Sequence, residues 1–197
     1  MEITAKMVKE LRDKTGAGMM DCKGALTEAE GDFEKATTIL REKGIAKAGT
    51  KSGRKTSEGL IASYIHPGDK LGVMVEIACE TDFVARTDDF KTFVRDIAMH
   101  VAATAPACIN REDVDRKIVE EEREIYRKQA ENEGKPAKVL DKIVDGKIEK
   151  YYSEIVLLEQ PFVKDNDKTI GDYVKETIGT LGENIIIKRF VRFRLGE

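Results

Sequence analysis

The sequence predicts an α+β protein: an N-terminal three-helix bundle, then an antiparallel sheet flanked by helices, with a projecting helical hairpin. Three observations carry this expectation. Residues 1–46 hold three short stretches whose apolar residues recur at helical spacing. From Gly59 the pattern changes to β-branched, partly alternating runs separated by turn residues. Residues 111–158 return to a helical period with dense charge of both signs.

Each element has its own signal. Thr4 is placed to cap a helix carrying Met7, Val8 and Leu11, and Thr15-Gly16 supplies the stop. A second helix begins near Met19-Met20-Asp21 and carries Ala25 and Leu26 before Gly31. Asp32 is the N-cap of a third, whose Phe33, Ala36, Ile39 and Leu40 form an apolar stripe that is expected to end before Gly44. Helices this short are marginal alone and must pack together.

Residues 47–56, Lys-Ala-Gly-Thr-Lys-Ser-Gly-Arg-Lys-Thr, are small and basic, and read as a flexible linker and the domain boundary. Gly49–Thr56 superficially suggests a phosphate-binding loop, but its spacing is wrong and a helix, not a strand, precedes it. Leu60–Ile65 and Leu71–Ala78 form a β-hairpin around His66-Pro67-Gly68-Asp69-Lys70. A helix follows through Phe90, Phe93, Val94, Ile97, Ala98 and Val101, closing near Pro106. Gly134 and Pro136 divide the charge-rich region into a helical hairpin, with Gly as a stop and Pro at a helix start. Pairs such as Glu112/Arg116, Asp113/Lys117 and Glu124/Lys128 make its outer surface a solvated face or an association arm. Beyond a turn-rich stretch after Phe162, a short helix bears Ile170, Tyr173, Val174 and Ile178. The terminal segment Ile185–Leu195 is expected to pair with the hairpin as a strand with a buried Phe row, Phe190 and Phe193, and exposed Arg192 and Arg194.

Composition excludes several function classes. The 197 residues carry 34 basic and 37 acidic side chains, a net charge of −3, so no overall basic field draws the chain onto nucleic acid or an anionic membrane. No apolar run approaches the ~20 residues needed to span a bilayer, and the N-terminus lacks a signal peptide's basic and apolar regions, which predicts a cytoplasmic protein. Cys22, Cys79 and Cys108 are odd in number and far apart, and His66 and His100 are isolated, so neither a disulfide framework nor a metal site is expected. No catalytic residue and no cofactor are assigned, because neither histidine has an evident nucleophile or carboxylate partner in a recognisable motif.

Leu11-Arg-Asp-Lys-Thr-Gly-Ala-Gly-Met-Met-Asp-Cys-Lys-Gly-Ala-Leu26 closely resembles the first signature of the translation elongation factor Ts family. Val75-Glu-Ile-Ala-Cys-Glu-Thr-Asp-Phe-Val-Ala-Arg86 resembles the second, and Ile97–Ala103, Glu159–Val163 and Thr169–Gly171 extend the likeness along the chain. The resemblance implies a guanine-nucleotide exchange factor for elongation factor Tu, with no covalent chemistry. It implies a ubiquitin-associated-like module at residues 1–46, docking on the nucleotide domain of Tu, and an α+β core at 57–197. Thr81, Asp82, Phe83 and Val84 are then the exposed tip, with Asp82 and Phe83 entering between two Tu helices near its Mg²⁺ site. Leu11, Arg12, Met19, Met20 and Lys23 are the matching contact positions of the bundle. On the residues alone, the favoured reading is that Phe83 packs under its own domain while Asp82 only caps the next helix, and that Leu11, with one of Met19 and Met20 as an alternative, packs within the bundle.

Longer members of that family carry two core repeats, and this chain has room for one. A homodimer is therefore expected, with an apolar interface through the C-terminal strand or the helical hairpin; the strand has no cysteine for a disulfide. The competing class is an adaptor or RNA-binding module using Lys51, Arg54 and Lys55 with Arg192 and Arg194.

Overall fold

A computed structural model describes residues 3–197. The chain forms two compact units, one of Met1–Ile61, Glu76–Arg95 and Asp172–Lys188, the other of Ala62–Val75, Asp96–Gly171 and Arg189–Glu197. Helices and an antiparallel three-stranded sheet make the fold α+β, as expected.

In the first unit, α1 (Ala5–Thr15) starts at Thr4, whose hydroxyl accepts from the Met7 N–H at 3.3 Å, and ends at Gly16 in the left-handed region, φ +67°. Helix α2 spans Met19–Glu28. Helix α3 begins at Phe33, where the Asp32 carboxylate accepts from the Glu34 and Lys35 N–H groups. The three bury a shared core of Val8, Leu11, Cys22, Leu26, Ala36 and Leu40.

Helix α3 does not stop before Gly44. It continues to Lys51, so the first half of the segment read as a linker is helical. The reason is tertiary. Helix α8 (Ile170–Leu181) approaches α3 so closely that a Cβ on Gly179 would lie 2.8 Å from the Gly44 Cα. Glycine costs an isolated helix about 1 kcal/mol, and at Gly179 the missing side chain is what permits the backbone approach. Arg41 pairs with Glu176 at 2.8 Å, and Lys51 donates to the Gly182 carbonyl.

Strands β1 (Glu58–Ile65) and β2 (Leu71–Cys79) form the expected hairpin, and β5 (Ile186–Arg194) lies beside β2, giving the order β1-β2-β5. Between β2 and α5 (Asp88–Thr104) sits a single helical turn, α4 (Asp82–Ala85). In the first unit, the rings of Phe93 and Tyr173 pack at 5.1 Å between centroids.

The second unit holds the helical hairpin, α6 (Arg116–Asn132) and α7 (Ala137–Ile155). The ion pairs that fasten it run between helices, Arg123 to Asp145 at 2.6 Å and Arg127 to Asp141 at 2.5 Å. At its base Arg111 spans two carboxylates, Glu149 and Glu159, each through two hydrogen bonds of 2.6–2.9 Å, and lies 4.2 Å above the Tyr152 ring. These bonds hold the Arg111 pKa above even its ordinary value. His100 is buried; its Nε2 lies 2.9 Å from the Gln160 Oε1, and the Val163 N–H donates to its Nδ1 at 3.4 Å. Burial lowers its pKa, so the imidazole is neutral.

Two further expectations need correction. The stretch after Gln160 contains a small antiparallel ribbon, β3 (Pro161–Phe162) with β4 (Asp165–Thr169), the latter built from polar residues that carry no strand signal. In β5 the buried Phe row with exposed arginines does not occur. Phe190 and Phe193 are three residues apart, so a period of two puts them on opposite faces. Phe193 is 67% exposed, whereas the Arg192 side chain is largely covered, near the Ala102 carbonyl and paired with Glu197.

Candidate functional site: the tip between β2 and α5

The tip is built by a strand that ends and a helix too short to stand alone. Strand β2 closes at buried Cys79, whose thiol donates to the Thr81 carbonyl at 3.2 Å. Burial, helped by the nearby Glu183 carboxylate, pushes that thiol up to about 11 and keeps it protonated at neutral pH. Thr81 is extended, φ −129° and ψ 156°, and its hydroxyl accepts from the Val84 N–H at 3.4 Å. Thr81 is therefore the N-cap. Asp82, read from the sequence as the capping group, is the first residue inside the helix and pairs with Arg86 at 2.8 Å.

The next hydroxyl repeats the device. Thr87 donates to the Val84 carbonyl at 2.8 Å and accepts from the Phe90 N–H at 3.2 Å, joining α4 to the first turn of α5. Ala85 is buried and Val84 half-buried, which anchors one side of the turn. Phe83 points away, 79% exposed. A phenyl ring held in water on a doubly capped turn contributes nothing to its own core, which removes the reading in which Phe83 packs beneath its domain.

The bundle residues separate by burial. Leu11 is fully buried and serves the bundle's own core. Arg12 and Lys23 are exposed, as are Met19 at 45% and Met20 at 79%. Met19 and Lys23 are four apart on α2, and Met20 and Lys23 three apart, so helical geometry places them on one surface. Met side chains adapt to varied partner shapes, and Lys23 adds a positive charge.

Glu183 is the residue that sequence reasoning missed. Its carboxylate accepts hydrogen bonds from the Glu80 and Thr81 N–H groups and from the Thr81 hydroxyl, across more than 100 positions of chain. Only Gly182 before it, a helix stop, marks that stretch in the sequence, and nothing local points to the tip. Among the described residues there is no group of three or more His, Cys, Asp or Glu placed to hold a metal ion, and no helix is long and apolar enough to cross a membrane.

Phe83, exposed on a capped turn, and the exposed Met19, Met20 and Lys23 of the bundle are the surface side chains best suited to meet a partner protein. The family model for Elongation factor TS matches residues 3–197. Among similar proteins, an Elongation factor Ts of Coprothermobacter proteolyticus is 60% identical over all of both chains. That of Carboxydothermus hydrogenoformans is 60% identical over 99% of this chain and 90% of its own, and that of Fervidobacterium nodosum 57% over all of both. The chain belongs to the elongation factor Ts family, the nucleotide exchange factors of elongation factor Tu in translation elongation. The activity of that family is exchange rather than covalent catalysis.

Proposed function

We propose that the chain binds Tu·GDP and releases GDP by wedging Phe83, with Asp82 beside it, between two helices of the Tu nucleotide domain near its Mg²⁺ site. Metal and phosphate contacts are disturbed, and nucleotide-free Tu is held until GTP binds. The exposed Phe83 on its capped turn is the observation that supports this most directly. Filling a pocket opened between packed helices with an apolar ring stabilises the opened state by about 1.5–3 kcal/mol when burial is complete. Linkage then requires that a factor binding empty Tu more tightly than Tu·GDP weaken GDP by the same ratio.

Residues 1–46 act as the docking module through Arg12, Met19, Met20 and Lys23, and the protein works in the cytoplasm as a homodimer. The dimer reading is supported by an open sheet surface in the second unit, where Ile65, Met74, Val191, Phe193 and Leu195 are all exposed. Four of the five cations of the nucleic-acid alternative have partners within the chain: Arg54 lies 3.6 Å from Glu80, Lys51 donates to Gly182, and Arg192 and Arg194 both pair with Glu197, while Lys55 is exposed.

Stopped-flow release of a fluorescent GDP from Tu, run over a dilution series of the factor alongside sedimentation, tests both parts. Acceleration that weakens as the dimer dissociates is expected. No acceleration overturns the exchange reading, and a fully active monomer overturns the dimer.

A further inference from the structure

A four-residue helix has no stability of its own, because forming the first turn orders several residues for very few hydrogen bonds. The exposed Phe83 adds no packing to offset that ordering. Something outside α4 must hold the tip in one geometry. The loop after α8 does so. The Glu183 Oε2 accepts from the Glu80 N–H at 3.1 Å and the Thr81 N–H at 3.0 Å, and the Oε1 accepts from the Thr81 hydroxyl at 2.6 Å. With its proton committed to Glu183, the Thr81 hydroxyl can turn its lone pairs only to the Val84 N–H, the bond that caps α4. The neighbouring residue bonds in return: the Asn184 N–H donates to the Glu80 carboxylate at 2.7 Å, and its side-chain amide donates to the Arg54 carbonyl at 2.9 Å.

We propose that Glu183 is the positioning residue of the exchange tip, holding Thr81 so that Asp82 and Phe83 meet the partner preformed, with Asn184 joining the same mount to the residues after α3. This inference rests on the exchange reading and extends it to a residue that touches neither nucleotide nor the wedge. The basic segment 51–54 thereby acquires a structural task, since Lys51 holds the Gly182 carbonyl and Arg54 the Glu80 carboxylate. A preformed wedge spends no partner-binding energy on its own ordering, so loss of the mount lowers the rate of the opening step more than it weakens docking through the bundle.

The test uses the full chain, Tu bearing a fluorescent GDP, and four variants: Glu183→Ala, Glu183→Asp, Glu183→Gln and Phe83→Ala. The readouts are the release rate at saturating factor, the factor concentration for half-maximal rate, and the melting temperature. Glu183→Ala and Glu183→Asp, the latter one methylene too short, are each expected to lower the saturating rate about 10-fold or more, with a change of under about threefold in half-saturation. Glu183→Gln is expected to recover part of the rate, to between that of Glu183→Asp and wild type, because its carbonyl oxygen still accepts the two N–H groups while its amide, a donor, cannot take the Thr81 hydroxyl proton. If Glu183→Ala fails to fold, the contrast between Asp and Gln carries the comparison. Folded Ala or Asp variants at the wild-type saturating rate, with Phe83→Ala impaired, overturn the positioning role and leave the exchange reading intact. A Gln variant as slow as Asp also overturns it. Unaccelerated release by the wild-type chain overturns the exchange reading itself.

Discussion

Phe83→Ala separates function from stability because of where the ring sits. With 79% of the residue exposed, its removal deletes almost no native packing, and surface changes of this kind shift stability by about 0.5 kcal/mol or less. About four-fifths of the ring's burial energy is therefore still available to a partner. Taking about 1.5–3 kcal/mol for full burial of a Phe leaves about 1.2–2.4 kcal/mol for the wedge, which at about 1.36 kcal/mol per decade is roughly an 8- to 60-fold loss of exchange rate. The assay is stopped-flow release of fluorescent GDP from Tu at saturating factor, with a melting curve on the same preparation. A rate within twofold of wild type, or a rate loss matched by an equal loss of stability, refutes the reasoning.

Other expectations follow from contacts elsewhere. Gly179→Ala drives a Cβ to 2.8 Å from the Gly44 Cα and is expected to destabilise by about 1–3 kcal/mol, whereas Gly44→Ala meets only the Gly179 Cα at 4.0 Å. The second change is expected to be neutral or to stabilise by up to about 1 kcal/mol through helix propensity; equal losses in two urea-unfolding curves would show that the crossing is not the constraint. Because burial lowers the His100 pKa, the unfolded chain takes up a proton at higher pH than the folded one, so stability falls as pH drops from the ordinary histidine value of 6.5 toward the lower folded value. Urea unfolding between pH 7.5 and 5.5 checks the sign, and a flat or rising profile contradicts a buried neutral imidazole. Phe193→Glu on the open sheet surface is expected to raise the dimer dissociation constant at least about 10-fold in sedimentation while leaving the melting of the isolated subunit near that of wild type.

Much of the fold was legible because its signals are local. Thr4 and Asp32 cap the helices they precede, Gly16 closes α1 in the left-handed region, and residues 66–70 turn the hairpin between β1 and β2. The exposed tip was legible in part. Its residues were found through family signatures, while the cap was assigned to Asp82 although the side chain that reaches the Val84 N–H belongs to Thr81. In β5 the faces follow from spacing: Phe190 and Phe193 are three residues apart, so a period of two sets them on opposite faces although Phe and Arg in one strand suggest a hydrophobic row.

The sequence by itself determined the α+β class and the order of helices and strands, because capping, periodicity and turn formation act over three to seven positions, while the tip residues came from the family resemblance alone. Only the tertiary structure decided that α3 runs through Gly44 to Lys51, that Phe83 lies in solvent, and that Glu183 holds Thr81. Each depends on groups far apart in the chain, where a missing Cβ or a carboxylate acquires its consequence only once folding brings its neighbour within about 3 Å.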